Sequence, residues 1–109
     1  MFVLMSATTE QKIWEEVNAI GNLLAEKNKS YGDSAVRPVN IFSKGNAVDS
    51  LCARIDDKIM RIKNKGINDK TEDTVSDLIG YLILLKIALK ETNDKKWARI
   101  IWLSKGSVS

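Results

Sequence analysis

The chain has 109 residues, 44% hydrophobic and 28% charged, with 17 Lys and Arg against 14 Asp and Glu; that length carries one domain, able to bury roughly two-thirds of its unfolded surface. The composition excludes collagen, disorder and a disulfide scaffold, and with no histidine and a single cysteine the chain cannot build a Ser-His-Asp triad, a Cys-His dyad or the usual zinc site. The net charge of +3 suits a phosphate-bearing small anion better than genomic DNA, which needs a denser basic patch.

The opening Met1 to Met5 is apolar but lacks a basic flank and falls short of the about 7 to 15 residues of a signal h-region, so a frayed or docked end is expected. Beyond it, strand-like alternation is missing and three stretches carry apolar residues at helical spacing, which predicts an all-α domain. The first helix starts near Thr8, whose hydroxyl can cap while Gln11 completes a capping box. Ile13, Val17, Ile20 and Leu24 form its expected buried stripe. Gly32 can take the left-handed closing conformation, so the helix should stop near Tyr31.

Between Gly32 and Gly45 lies a long connection with Asp33, Ser34, Arg37, Pro38, Asn40 and Lys44; loops of this length are commonly functional. Its Val36, Val39, Ile41 and Phe42 suggest that it packs back on the body as an ordered, ligand-facing loop. The second helix, about Asn46 to Lys65, has a stripe at Val48, Leu51, Cys52, Ile55, Ile59 and Ile62. Within that stripe Cys52 reads as a small core residue, and a lone cysteine fits a reducing, cytoplasmic compartment. Arg54, Lys58, Arg61 and Lys65, at spacings of four and three, make a basic ridge along one flank.

Asp69 is the expected cap of the third helix, with Glu72 as its capping-box partner. From Val75 to Leu89 this helix is apolar on nearly every face, and its longest apolar stretch, Leu78 to Leu85, is far below the ~20 residues of a membrane span. A three-helix monomer struggles to cover such a rod. The expectation is a homo-oligomer, a dimer whose third helices share a bundle core. The last part of the chain, with Trp97 and Trp102, reads as a short fourth helix folded over the bundle. The predicted fold is thus a single all-α domain over 1–109, with a core at about 8–92, a helical tail at 93–109, and the bundle completed by homo-oligomerisation.

Asp73, Asp77 and Tyr81 form one polar line on this apolar rod. Buried carboxylates need a cation or a metal. Arg54, Lys58 and Arg61 could pair with them as a structural network; alternatively Glu15, Glu16, Asp56 or Asp57 could join them around one or two Mg²⁺ ions, which need no histidine. Asp73, in the first turn, is equally explained by the helix dipole. The ridge reads either as a solvated face or, with Arg37 and Lys44, as a phosphate clamp. Tyr31 and Tyr81 offer faces for a base to stack on, or half-buried packing. A glycine-rich phosphate loop is missing, since Gly32 and Gly45 are isolated.

Lys29-Ser-Tyr31-Gly32-Asp33-Ser34, then Arg54-Ile-Asp-Asp57-Lys58-Ile-Met-Arg61, then Glu72-Asp73-Thr-Val-Ser-Asp77-Leu-Ile-Gly-Tyr81, resemble the first type of the small phage and bacterial "nucleotide modification associated" domain. That domain is itself similar to the MazG-like all-α nucleotide pyrophosphohydrolases. The likeness spans about Lys27 to Leu89. It implies a helical domain, often phage-encoded, that binds nucleotides or nucleotide-derived molecules, with Tyr31, Gly32, Asp33, Arg54, Asp57, Lys58, Arg61, Asp73, Asp77 and Tyr81 matching the pattern. MazG-like enzymes carry a third glutamate after their doubled one; here Glu15 and Glu16 are followed by Ala19, and Glu72 and Asp77 stand at a different separation from the enzymes' second acidic pair.

The leading expectation is therefore a nucleotide-binding protein that holds its ligand without turnover, as a phage sponge for a host immune signal would. Arg37, Arg54, Lys58 and Arg61 would hold phosphates, Asp73 and Asp77 would position those cations or contact ribose, and Tyr31, Asp33 and Tyr81 would complete the site. The rival is a Mg²⁺-dependent pyrophosphohydrolase using Asp57, Asp73 and Asp77, with Glu15 and Glu16 as further metal ligands. A third reading is a structural or partner-binding bundle.

Overall fold

The computed structural model describes residues 7–38, 40 and 45–106, with 93–106 described by their backbone alone. It contains three helices, α1 (Thr9–Tyr31), α2 (Ala47–Lys65) and α3 (Thr74–Gly106); the all-α reading holds. The frayed or docked end expected at Met1 to Met5 and the expected packing of Val39, Ile41 and Phe42 lie outside the described residues.

The first two helices begin and end where local chemistry says they should. Thr8 accepts a hydrogen bond from the Gln11 backbone N–H at 3.1 Å, and the Gln11 side chain accepts one from the Thr8 N–H at 2.8 Å, so two of the first-turn donors are satisfied reciprocally. Gly32 closes α1 in the left-handed region at φ 58°. Asn46 caps α2 by accepting the Asp49 N–H at 2.8 Å.

The third helix departs from expectation at both ends. Asp69 is not its cap. Asp73 is, accepting the Ser76 N–H at 3.1 Å and the Ser76 hydroxyl at 2.8 Å, while Asp69 turns back to accept from Thr71. At the other end no short fourth helix forms: the backbone of 93–106 continues α3 to Gly106, giving a rod about 50 Å long at 1.5 Å per residue. Nothing between Thr74 and Gly106 breaks it, since Gly80 is the one internal glycine and proline is absent. The expected covering role of Trp97 and Trp102 falls on side chains outside the described residues.

Packing is concentrated on one side of α3. Leu51 of α2 is 1% exposed, Ala88 of α3 3% and Ile20 of α1 7%, and these form the core. Gly80, itself buried, lets α1 approach: a Cβ there would stand 3.1 Å from Leu24 Cδ2. The stripe predicted for α1 is only half used, because Ile20 and Leu24 pack while Ile13 and Val17 remain 55% and 49% exposed. On α2, Val48, Ile55 and Ile62 are half-buried, but Ile59 is exposed. Cys52 is exposed as well, which overturns its reading as a core residue: α2 meets α3 along a seam centred on Leu51, and Cys52 sits one step round the helix from it.

Candidate functional site

Of the four cations on the ridge, two are taken by carboxylates. Lys58 Nζ lies 3.0 Å from Glu72 Oε1 and 3.2 Å from Asp77 Oδ2, and its side chain is 18% exposed. Burial works against its charge, but hydrogen bonds and attraction from Glu72 and Asp77 outweigh that and raise Lys58 above the usual lysine range. Arg61 Nε lies 2.7 Å from Asp69 Oδ2 and 3.1 Å from Glu72 Oε2, and a terminal nitrogen donates to Thr71 Oγ1 at 2.7 Å. Hydrogen bonds from the Thr71 hydroxyl and N–H, with help from Arg61, hold Asp69 down to about 2. The Lys58 hydrogen bond lowers Glu72 likewise, and Glu72 also accepts from the buried Thr74 hydroxyl at 3.1 Å.

These contacts make a latch between the end of α2, the connection after it and the start of α3. Because Glu72 serves both cations, breaking one pair leaves a partly buried charge behind, which costs more than losing an isolated surface pair. Of the structural network expected between Arg54, Lys58 and Arg61 and the carboxylates Asp73 and Asp77, only the Lys58–Asp77 pair forms; Glu72 and Asp69 supply the other partners, and Arg54 has none among the described residues. Asp73 takes no part; its carboxyl is lowered by the Ser76 N–H and hydroxyl that it caps, so the helix-start explanation accounts for it.

Arg37 is also engaged, at 3.3 Å from Asp33 and 2.9 Å from Glu91. Asp33, at φ 64°, further accepts from the Asn28 side chain. These bonds tie the first half of the α1–α2 connection to α3, and they turn both residues to holding the loop rather than facing a ligand.

A cavity of about 560 Å³ opens between the three helices and this loop. Of the residues singled out from sequence it brings together Tyr31, Arg54, Asp77 and Tyr81. Arg54 lies over the Tyr81 ring, 6.0 Å from its centre, a distance at the edge of cation–π attraction. Asp33, Arg37, Lys58, Arg61 and Asp73 do not line it. Ser34, from the loop expected to face a ligand, does, and so do Lys27, Asn28, Ser50 and Ser76, which sequence reasoning missed. Lys27 and Asn28 had a detectable signal: they stand at three and four residues from Leu24 and Tyr31 on the packed face of α1.

Among the described residues neither Lys27 nor Arg54 has a carboxylate partner. Among the described lining residues there are thus two uncompensated cations, while the one carboxylate, Asp77, already faces Lys58. Apolar walls come from Ile20, Leu24, Leu51 and Leu84. Such a site can take a molecule with one flat or apolar part and one anionic part.

The acids considered as metal ligands are not gathered. Glu15, Glu16 and Asp57 are exposed, and among the described residues no group of three or more His, Cys, Asp and Glu is placed to hold a metal ion. No described helix is long and apolar enough to cross a membrane. In comparison with known proteins, no family model, curated protein or solved structure matches the chain.

Proposed function

We propose that the three-helix cavity binds a nucleotide or nucleotide-derived molecule and holds it without turnover. One observation carries this reading: Arg54 and Lys27 open into a 560 Å³ cavity without carboxylate partners, beside Tyr31 and Tyr81. Arg54 supplies a planar fork for phosphate oxygens and Lys27 a point charge. The tyrosine rings offer faces to a base, and Asp77, held by Lys58, leaves its second oxygen for a ribose hydroxyl. Lys58, Arg61 and Arg37 act one step back, by fixing the helix and loop that carry these groups. Retention without hydrolysis suits sequestration of a nucleotide signal, in the cytoplasm that the lone Cys52 suggests. The same reading includes a second copy of the chain completing the bundle.

Calorimetry against mono-, di- and cyclic nucleotides, with and without Mg²⁺, tests the proposal. Binding of at least one class is expected, and Arg54→Ala should weaken it at least tenfold, the loss of about 1.5 to 3 kcal/mol for a charge-assisted hydrogen bond. No heat with any of them would overturn it. Pyrophosphate release from a bound triphosphate, abolished by Asp77→Asn, would favour hydrolysis instead.

A further inference from the structure

The accessible surface of the chain is 9318 Å² for a mass of 12.2 kDa. A compact monomer of that mass exposes ~6,100 Å², so roughly 3,200 Å² is in excess. The radius of gyration agrees: it is 19.3 Å, against about 13 Å for a compact domain of this length.

Among the described residues, half of the exposed large apolar side chains lie on two strips. On α3, Val75, Ile79, Leu82 and Ile83 are 40%, 40%, 44% and 37% exposed; at 100° per residue they fall within about a third of the circumference, opposite the face that meets α2. On α1, Ile13, Trp14 and Val17 are about half exposed. Ile13 and Val17 continue the same helical stripe that Ile20 and Leu24 bury against α3, so the packing face of α1 extends past what its own α3 covers.

The charges beside the two strips are opposite. Glu10 and Glu16 lie beside the first and Lys86 and Lys90 at the end of the second, and none is in an ion pair among the described residues.

We infer that a second copy of this chain covers these strips, with the overhanging half of α1 from each copy lying on the exposed face of the other's α3. Obligate homodimers remove about 1,000 to 2,500 Å² from each subunit, which the excess accommodates. Residues 1–6 are a competing occupant, but an interface of 20 to 30 residues a side removes about 800 Å² from each partner, and six residues would cover a fraction of that. The exchange is isologous: a strip of one kind meets a strip of the other twice, and the assembly closes. It also holds α1, one wall of the ligand cavity, along the part of its packing face that runs beyond the cavity. This surface rests on the oligomeric part of the proposed function and not on its ligand part.

Light scattering on the full chain at tens of micromolar tests it. The expected mass is twice 12.2 kDa, falling to 12.2 kDa for Trp14→Glu combined with Ile83→Glu, with helical circular dichroism retained because both side chains are exposed. Glu10→Lys with Glu16→Lys should weaken the dimer at least tenfold, and Lys86→Glu with Lys90→Glu in the same chain should restore it. Deleting residues 1–6 should leave the mass doubled. A monomeric wild type would overturn the oligomer altogether. A dimer indifferent to the α1 and α3 variants, or lost with residues 1–6, would overturn this surface alone. Nucleotide calorimetry with Arg54→Ala reads the ligand site separately.

Discussion

Glu72 is the residue on which the latch turns. It accepts from Lys58 and Thr74 and pairs with Arg61, so one carboxylate joins α2 to the first turn of α3. Asp69 and Glu72 are held below their ordinary values. Their stabilisation is present above the unfolded values, 3.8 and 4.5, and is lost as pH falls through the folded ones. Lys58 has the opposite sign: raised in the folded chain, it contributes below 10.5 and is lost as pH rises beyond its folded value. Urea midpoints should therefore be flat from about pH 5 to 9 and decline between about pH 4 and 2. Asp69→Asn should lower the plateau and flatten the acid limb. An unchanged acid limb in that variant would show that Asp69 does not carry the pH dependence. Local sequence could not choose the partners here. Asp69 and Asp73 each have a cap-like position before a helical run; the Thr71 N–H and hydroxyl, joined by Arg61 from α2, engage Asp69 in its own turn, and the cap falls to Asp73.

At the scale of elements, the described attachment of α1 to the rest consists of the buried Ile20, one close approach and one strap. The approach is Leu24 over Gly80; the strap is Arg37 to Glu91. Gly80→Ala gains up to about 1 kcal/mol of helix propensity but places a Cβ 3.1 Å from Leu24 Cδ2. Since that atom is the movable end of a side chain, the two effects should nearly cancel, leaving a change below about 0.5 kcal/mol. Gly80→Val adds bulk with no further helix preference and should cost about 1 to 3 kcal/mol as Leu24 is wedged away. Chemical denaturation of both variants checks this; equal stability of the valine variant and the wild type would mean that the approach is not used. That something approaches closely at Gly80 is legible in sequence, because a glycine inside an otherwise apolar helix leaves room for a helix or a ligand; that the neighbour is Leu24 of α1 is not, because that choice is made through space. The caps were easier. Thr8 with Gln11, Asn46, and Gly32 satisfy backbone groups within a turn of themselves, so their chemistry depends on nothing distant.

For the whole molecule, three helices leave much of α3 and half of the α1 stripe uncovered. A chain whose apolar faces are completed by a second copy is stabilised by mass action. Its melting temperature should accordingly rise by about 3 °C for each tenfold increase in protein concentration; a midpoint independent of concentration would contradict the dimer. The sequence by itself determined the all-α class, the starts of α1 and α2, the end of α1, and the excess of apolar surface on α3, because periodicity and capping are properties of neighbours along one chain. Only the tertiary structure decided which cations are engaged and which are open. Lys58 and Arg61 face the start of α3, and Arg37 reaches Glu91. Arg54, on the same ridge, is left with Tyr81 at the mouth of a cavity that also recruits Lys27. That division depends on distances between residues up to 54 apart in the chain, and a charge finds its partner through space.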